Sequence, residues 1–140
     1  MLSRVWSTYS ILGVIASSLT GAGCHVSVAD GGRGGYDYDS TITVEWTIDG
    51  SQSSGACADY RVDYAHVSID NPDGFFYEDD IPCEDFGVDI DLPADTYWVT
   101  VQLFDSRDVP ATRTARTDGR PVRPGRVDNV VLEFPDDSFL

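Results

Sequence analysis

Two histidines, His25 and His66, and three cysteines, Cys24, Cys57 and Cys83, are the side chains here best suited to base, nucleophile or soft-metal chemistry. Nucleophilic catalysis needs a base oriented beside its nucleophile. His66 falls on the polar face of an alternating segment, and no Gly-x-Ser-x-Gly elbow accompanies it. It reads as a solvated surface histidine, and no catalytic residue is assigned. Carboxylates are abundant in Glu78-Asp79-Asp80, Glu84-Asp85, Asp89 and Asp91. Glycosidase chemistry would need two of them across a cleft at a set separation, and a chain this acidic supplies many pairs by chance. Asp79, Asp80, Asp89 and Asp91 are the residues a Ca²⁺ ion would use. No Asp-x-Asp-x-Asp-Gly loop is present, so a solvated acidic face is the competing reading, and no metal or cofactor is expected.

Two further sets could bind rather than react. Trp98 and Phe104 fall opposite the apolar face of their segment, where exposed aromatics stack on sugars or meet a protein. The alternatives are cover by the tether, cover by the loop from Ser51 to Ala58, or reversed faces. Six of the nine Arg lie between positions 107 and 126. Within that run Arg113, Arg116 and Arg120 are candidates for an anion such as lipid or lipopolysaccharide phosphate. Internal compensation of the acidic segment before it is the favoured alternative.

These residues follow an N-terminal segment with the order of a secretory signal. Arg4 is its only charge, Ile11 to Ala16 is apolar, and small residues run to Gly23. The apolar run falls well short of the roughly 18 residues of a membrane-spanning helix. Ala22-Gly23-Cys24 resembles the end of the lipobox of bacterial lipoproteins, although Gly21 stands where an aliphatic residue is usual. The resemblance implies cleavage before Cys24, diacylglycerol on its sulfur and a membrane anchor. Ordinary signal cleavage nearby is the alternative. Cysteine parity favours lipid, because modifying Cys24 leaves Cys57 and Cys83 as a pair. By that family's sorting convention, His25 after the cysteine implies the outer membrane, on its periplasmic or its exposed side.

The remaining 117 residues suit one domain. The formal charge of the whole chain is −15, and every basic residue is Arg. Such a chain repels nucleic acid, and that partner class is excluded. Residues 24–40 are rich in Gly and Asp without apolar periodicity and read as a flexible tether.

From Thr41 onward, period-two alternation recurs. Strands are expected at 41–48, 62–69, 85–92, 96–104 and 127–134, with a hairpin over 64–80 about Asn71-Pro72-Asp73-Gly74 and a polar edge strand at 111–117. Residues 51–58 read as a polar loop. About seven short strands with no helical pattern outside the leader predict an all-β, antiparallel Greek-key-type sandwich over residues 41–140. An oxidising compartment permits a Cys57–Cys83 disulfide across it, with free thiols or a metal pair as the alternative.

Leu92-Pro93-Ala94-Asp95-Thr96-Tyr97 followed by Val99-Thr100-Val101, with the closing run from Val122 to Phe134, resembles carboxypeptidase-regulatory and transthyretin-like sandwich domains. Asp95 stands where those runs usually carry Gly. The whole also resembles lipoproteins of unassigned role from predatory and soil-dwelling δ-proteobacteria. The resemblance covers residues 41–135 and implies an accessory, adhesive or carbohydrate-contacting module. The expectation is a lipid-anchored envelope protein that binds or supports and does not catalyse, with an envelope protein or glycan as partner. A carbohydrate module using Trp98 and Phe104 is the alternative, and a small hydrolase is the remote one.

Overall fold

The computed structural model describes residues 25–27 and 39–140. Cys24, the leader and most of the expected tether lie outside the described residues. Among the described residues nine strands form two sheets. The first contains β1 (His25–Ser27), β5 (Gly87–Leu92), β2 (Ser40–Ile48) and β9 (Val127–Phe134), in that spatial order. The second contains β4 (Phe76–Pro82), β3 (Tyr64–Asp70), β6 (Asp95–Phe104) and β7 (Ala115–Arg116), with β8 (Arg120–Val122) on the N-terminal end of β6. The chain crosses between the sheets from β2 to β3, β4 to β5, β5 to β6 and β8 to β9. These Greek-key-type crossings make the all-β sandwich that the alternation predicts.

Alternation becomes burial strand by strand. In β2, Ile42, Val44, Trp46 and Ile48 are fully buried, while Thr41, Thr43, Glu45 and Thr47 are half-buried on the other face. In β6, Tyr97, Val99, Val101 and Leu103 are fully buried, and Trp98, Thr100, Gln102 and Phe104 face outward. Side chains of both strands join one core with Phe86, Ile90, Leu92, Val130, Leu132 and Phe134. Period two sends every second side chain to the same face, so a strand of this pattern satisfies a two-layer core without further specification.

Local chemistry sets the corners. The Tyr97 hydroxyl donates to the Pro93 carbonyl oxygen at 2.7 Å. This pins the entry to β6 to a fully buried ring, as in the tyrosine corner of other Greek-key sandwiches. In the β3–β4 turn, Gly74 takes a φ of +92°, and Asn71 Oδ1 accepts the Phe75 N–H at 2.6 Å. Asn71 Nδ2 also donates to Asp95 at 2.6 Å, joining this turn to the start of β6. At the base of β5, a Cβ on Gly87 would lie 3.1 Å from the Val44 carbonyl oxygen, so a side chain there would press on the β2 backbone.

Four features depart from the sequence reading. Residues 54–59 form a short helix, α1 (Ser54–Asp59), inside the expected loop. Its buried Cys57 bonds Cys83 in the 3₁₀ turn Cys83–Asp85, with the two Cα atoms 6.1 Å apart. A single turn is too short to leave a periodic trace and is held here by its cross-link. Next, β9 runs parallel to β2 over eight paired positions, from Thr41 opposite Val127 to Ile48 opposite Phe134. The first sheet, in which β1 is also parallel to β5, is therefore mixed, while the second is antiparallel throughout. The polar strand expected at 111–117 shrinks to Ala115–Arg116. Ahead of it, the buried Thr112 accepts the Leu103 N–H through Oγ1 at 3.1 Å, and its carbonyl accepts Gln102 Nε2 at 2.9 Å. Side chains thus replace ladder bonds. Finally, β1 lies within the stretch expected to be tether.

Converting both Cys57 and Cys83 to Ala opens a loop closed across 26 positions. Urea denaturation should show a loss of about 3–4 kcal/mol of unfolding free energy on the loop-entropy model.

Candidate functional site

The outer face of the second sheet gathers more polar and aromatic groups than any other described surface. Its strand register lays them out as a grid. Tyr64 lies between Pro82 and Phe104, His66 between Asp80 and Gln102, Ser68 between Glu78 and Thr100, and Asp70 between Phe76 and Trp98. At one end the Tyr64 and Phe104 rings stack, with centroids 5.2 Å apart and planes 3° from parallel. The His66 ring meets Phe104 edge-on at 6.3 Å. The Tyr64 hydroxyl donates to Asp108 at 3.2 Å, and burial together with this carboxylate raises its pKa.

His66 is the chemical centre of this face. Its Nδ1 lies 2.7 Å from Asp80 Oδ1, and its Nε2 lies 3.9 Å from Glu78. Ser68 shares the face two positions along β3, an arrangement that sets a hydroxyl, an imidazole and a carboxylate on one surface. The imidazole flank that a serine would need instead faces Glu78, and no hydrogen bond joins Ser68 to His66. The face is also open, with His66 and Asp80 both substantially exposed. Such a surface can hold a polar partner or a sugar, and lacks the enclosed donors that stabilise an oxyanion.

Trp98 and Phe104 are outward and half-buried, on the faces expected. They stand at opposite ends of β6, six residues and so roughly 20 Å apart along the strand. They do not form one platform. Trp98 is packed under the segment that leads into β8: a Cβ on Gly119 would lie 3.4 Å from two carbons of its indole ring and 3.0 Å from Thr96. The segment can approach the indole this closely because position 119 has no side chain. Phe104, with Tyr64 and His66, is the better presented aromatic. Tyr64 was not a sequence candidate, although its place opposite Phe104 is the sort of pairing that only register reveals.

The acidic candidates separate onto different sheets. Asp89 and Asp91 line the outer face of the first sheet, where they accept the hydroxyls of Thr43 at 2.6 Å and Thr41 at 2.8 Å. Asp79 and Asp80 lie on β4 at the edge of the second, with Asp80 held by His66. Asp79 Oδ1 accepts the Asp80 N–H at 2.9 Å, and its Oδ2 accepts the Tyr77 hydroxyl at 3.4 Å. Among the described residues no three His, Cys, Asp or Glu converge as a metal site.

The arginines separate as well. Arg116 donates to Thr100 on the neighbouring β6 at 3.3 Å and, across it, to Asp70 on β3 at 3.0 Å, so it offsets a charge of the acidic segment before it. Arg107 donates to Asp105 through Nη2 at 2.6 Å and Nε at 3.0 Å. With the Val109 and Arg107 N–H groups, this holds the Asp105 carboxyl below the usual carboxylate range. Arg113 is exposed, and its backbone N–H donates to Ser138. Arg120 belongs to a different group, facing a cleft with Arg123 and Arg126.

Tyr77 gives the fold a pH signature. Its ring is buried on the inner side of β4, and burial, with the neighbouring Asp79, pushes its pKa up to about 12. The folded chain therefore keeps a proton that the unfolded chain releases near pH 10, and stability falls between about pH 10 and pH 12. Urea midpoints measured across that range should fall less steeply for Tyr77→Phe than for the native chain. No protein-family model matches this chain, and no curated protein or solved structure matches it either.

Proposed function

We propose that this protein is a lipid-anchored component of a bacterial cell envelope, with a β-sandwich that binds or supports a partner and carries no catalysis. The observation that carries the reading is cysteine parity. The Cys57–Cys83 disulfide occupies two of three cysteines and leaves Cys24 over. Cys24 is also the residue that the lipobox-like run would modify. A disulfide within a small acidic domain fits an oxidising compartment, which is where a signal ahead of Cys24 would deliver it. An outer-membrane location follows the sorting convention for His25. The non-catalytic part is supported by the open setting of His66 and by its two carboxylate neighbours. The transthyretin-like resemblance agrees with the sandwich and with an accessory role, and it rests on the Leu92–Tyr97 and Val122–Phe134 runs.

Expression with an alkyne fatty acid tests the anchor. The native chain should take up label and sediment with membranes, and Cys24→Ser should lose the label and become soluble. A Cys24→Ser chain that stays with membranes would sink the reading.

Glycan contact is the second reading, favoured by the stacked Tyr64 and Phe104 rings beside His66. Phe104→Ala should then lose affinity for envelope polysaccharide while keeping its melting temperature. Trp98→Ala should instead lower the melting temperature, because the Gly119 segment packs against that indole. Equal glycan affinity in the native and Phe104→Ala chains would remove this reading.

A further inference from the structure

At the end of the sandwich where β2 begins, a cleft of about 470 Å³ lies between β8, the β8–β9 turn and the start of β9. That volume is within the range of roughly 300–1,000 Å³ typical of small-molecule sites. Arg123 and Arg126, the two ends of the turn Arg123-Pro124-Gly125-Arg126, line the cleft. Gly125 takes a φ of +65°, and the Arg126 N–H donates to the Arg123 carbonyl at 3.2 Å. Pro followed by a positive-φ Gly is the pattern of a type II turn, which brings its first and last residues together. Two anchors fix the turn to β2: the Thr41 N–H donates to the Arg126 carbonyl at 2.9 Å, and the Ser40 hydroxyl to the Arg123 carbonyl at 3.0 Å. Arg120 completes a set of three guanidinium groups. Unlike Arg107 and Arg116, none of the three pairs with a carboxylate among the described residues.

Asp128 supplies the opposite charge. It pairs with Ile42 across the β2–β9 ladder and so has the inward parity of Val130, Leu132 and Phe134. It lines the same cleft. Its Oδ2 is buried without a hydrogen-bond partner. A buried carboxylate oxygen without a donor is costly and uncommon. Three guanidiniums unpaired among the described residues and a carboxylate lining the same cleft complement a molecule that carries both an anion and a cationic N–H donor.

We propose that this cleft binds an aminoalcohol phosphate of the phosphoethanolamine type. Its phosphate lies among Arg120, Arg123 and Arg126, and its ammonium pairs with the Asp128 carboxylate, which lines the same cleft. Guanidinium groups suit phosphate because their N–H donors match two oxygens at once. The same chemistry is offered by free phosphoethanolamine and by the headgroup of phosphatidylethanolamine. The proposal is independent of any lipid on Cys24.

Calorimetric titration of the purified full-length chain in phosphate-free buffer tests it. O-phosphoethanolamine should bind saturably, about tenfold or more tighter than O-phosphocholine, whose quaternary nitrogen has no N–H to give. The exposed triple variant R120Q/R123Q/R126Q should lose binding of both while keeping its melting temperature. Asp128→Asn should abolish the preference and retain the weaker phosphate binding. Flotation of the Cys24→Ser chain with vesicles then separates the sources. A membrane source predicts capture by phosphatidylethanolamine vesicles, but not by phosphatidylcholine vesicles, with release by free phosphoethanolamine. Saturable binding of the free compound with no capture assigns a soluble source. Absence of saturable binding, equal affinity for the two phosphates, or an unaffected triple variant would overturn the proposal.

Discussion

Two apolar stripes determine this molecule. Every second residue of β2 from Ile42 to Ile48, and of β6 from Tyr97 to Leu103, is withdrawn completely from water. Each stripe is central in its own sheet, so the two bring the layers together and leave the other strands to extend them. The outward residues on the same strands are then placed by exclusion. Thr41 and Thr43 meet Asp91 and Asp89 on one side of the protein, and Thr100 and Gln102 join the His66 grid on the other. The polar surface is thus a by-product of core geometry. Substituting a polar residue at any stripe position would disturb both faces together.

What could be read from the chain was whatever repeats locally. Period two placed β2, β3, β5, β6 and β9 within a few residues and assigned their inner faces correctly. The closing run even contained an unused clue: carrying the parity of Val130, Leu132 and Phe134 back by one step places Asp128 inward. Features set by distant partners were not legible. Nothing within Val127–Phe134 states that it will lie parallel to β2, because that pairing joins the two ends of the domain. The β8 strand is three residues around Pro121, too short and too irregular for an alternation signal. Thr112 shows a polar residue drawn inside because its hydroxyl and carbonyl stand in for ladder bonds.

The candidate surfaces show the same division. Residue type marked Trp98 and Phe104 as outward aromatics, and that orientation is correct. Register then changed their meaning, giving Phe104 a stacked partner in Tyr64 and packing Trp98 beneath the Gly119 segment. Among the arginines, composition revealed a cluster but could not divide it. The fold gives Arg107 and Arg116 to neighbouring aspartates and leaves Arg120, Arg123 and Arg126 around one opening. An acidic chain has many carboxylates available for pairing, so arginines left without one are more informative than the overall charge.

The parallel seam between β2 and β9 has a mechanical consequence. Because the two strands run the same way, the entry to β2 at Ser40 and the exit from β9 at Phe134 lie at opposite ends of that seam. Tension applied between the N-terminal and C-terminal sides of the domain would pull the strands past one another lengthwise. The evenly spaced bonds of a parallel ladder would then share the load instead of opening one after another. Held at its N-terminal side and pulled by something attached beyond β9, the domain would resist in shear, its stiffest direction.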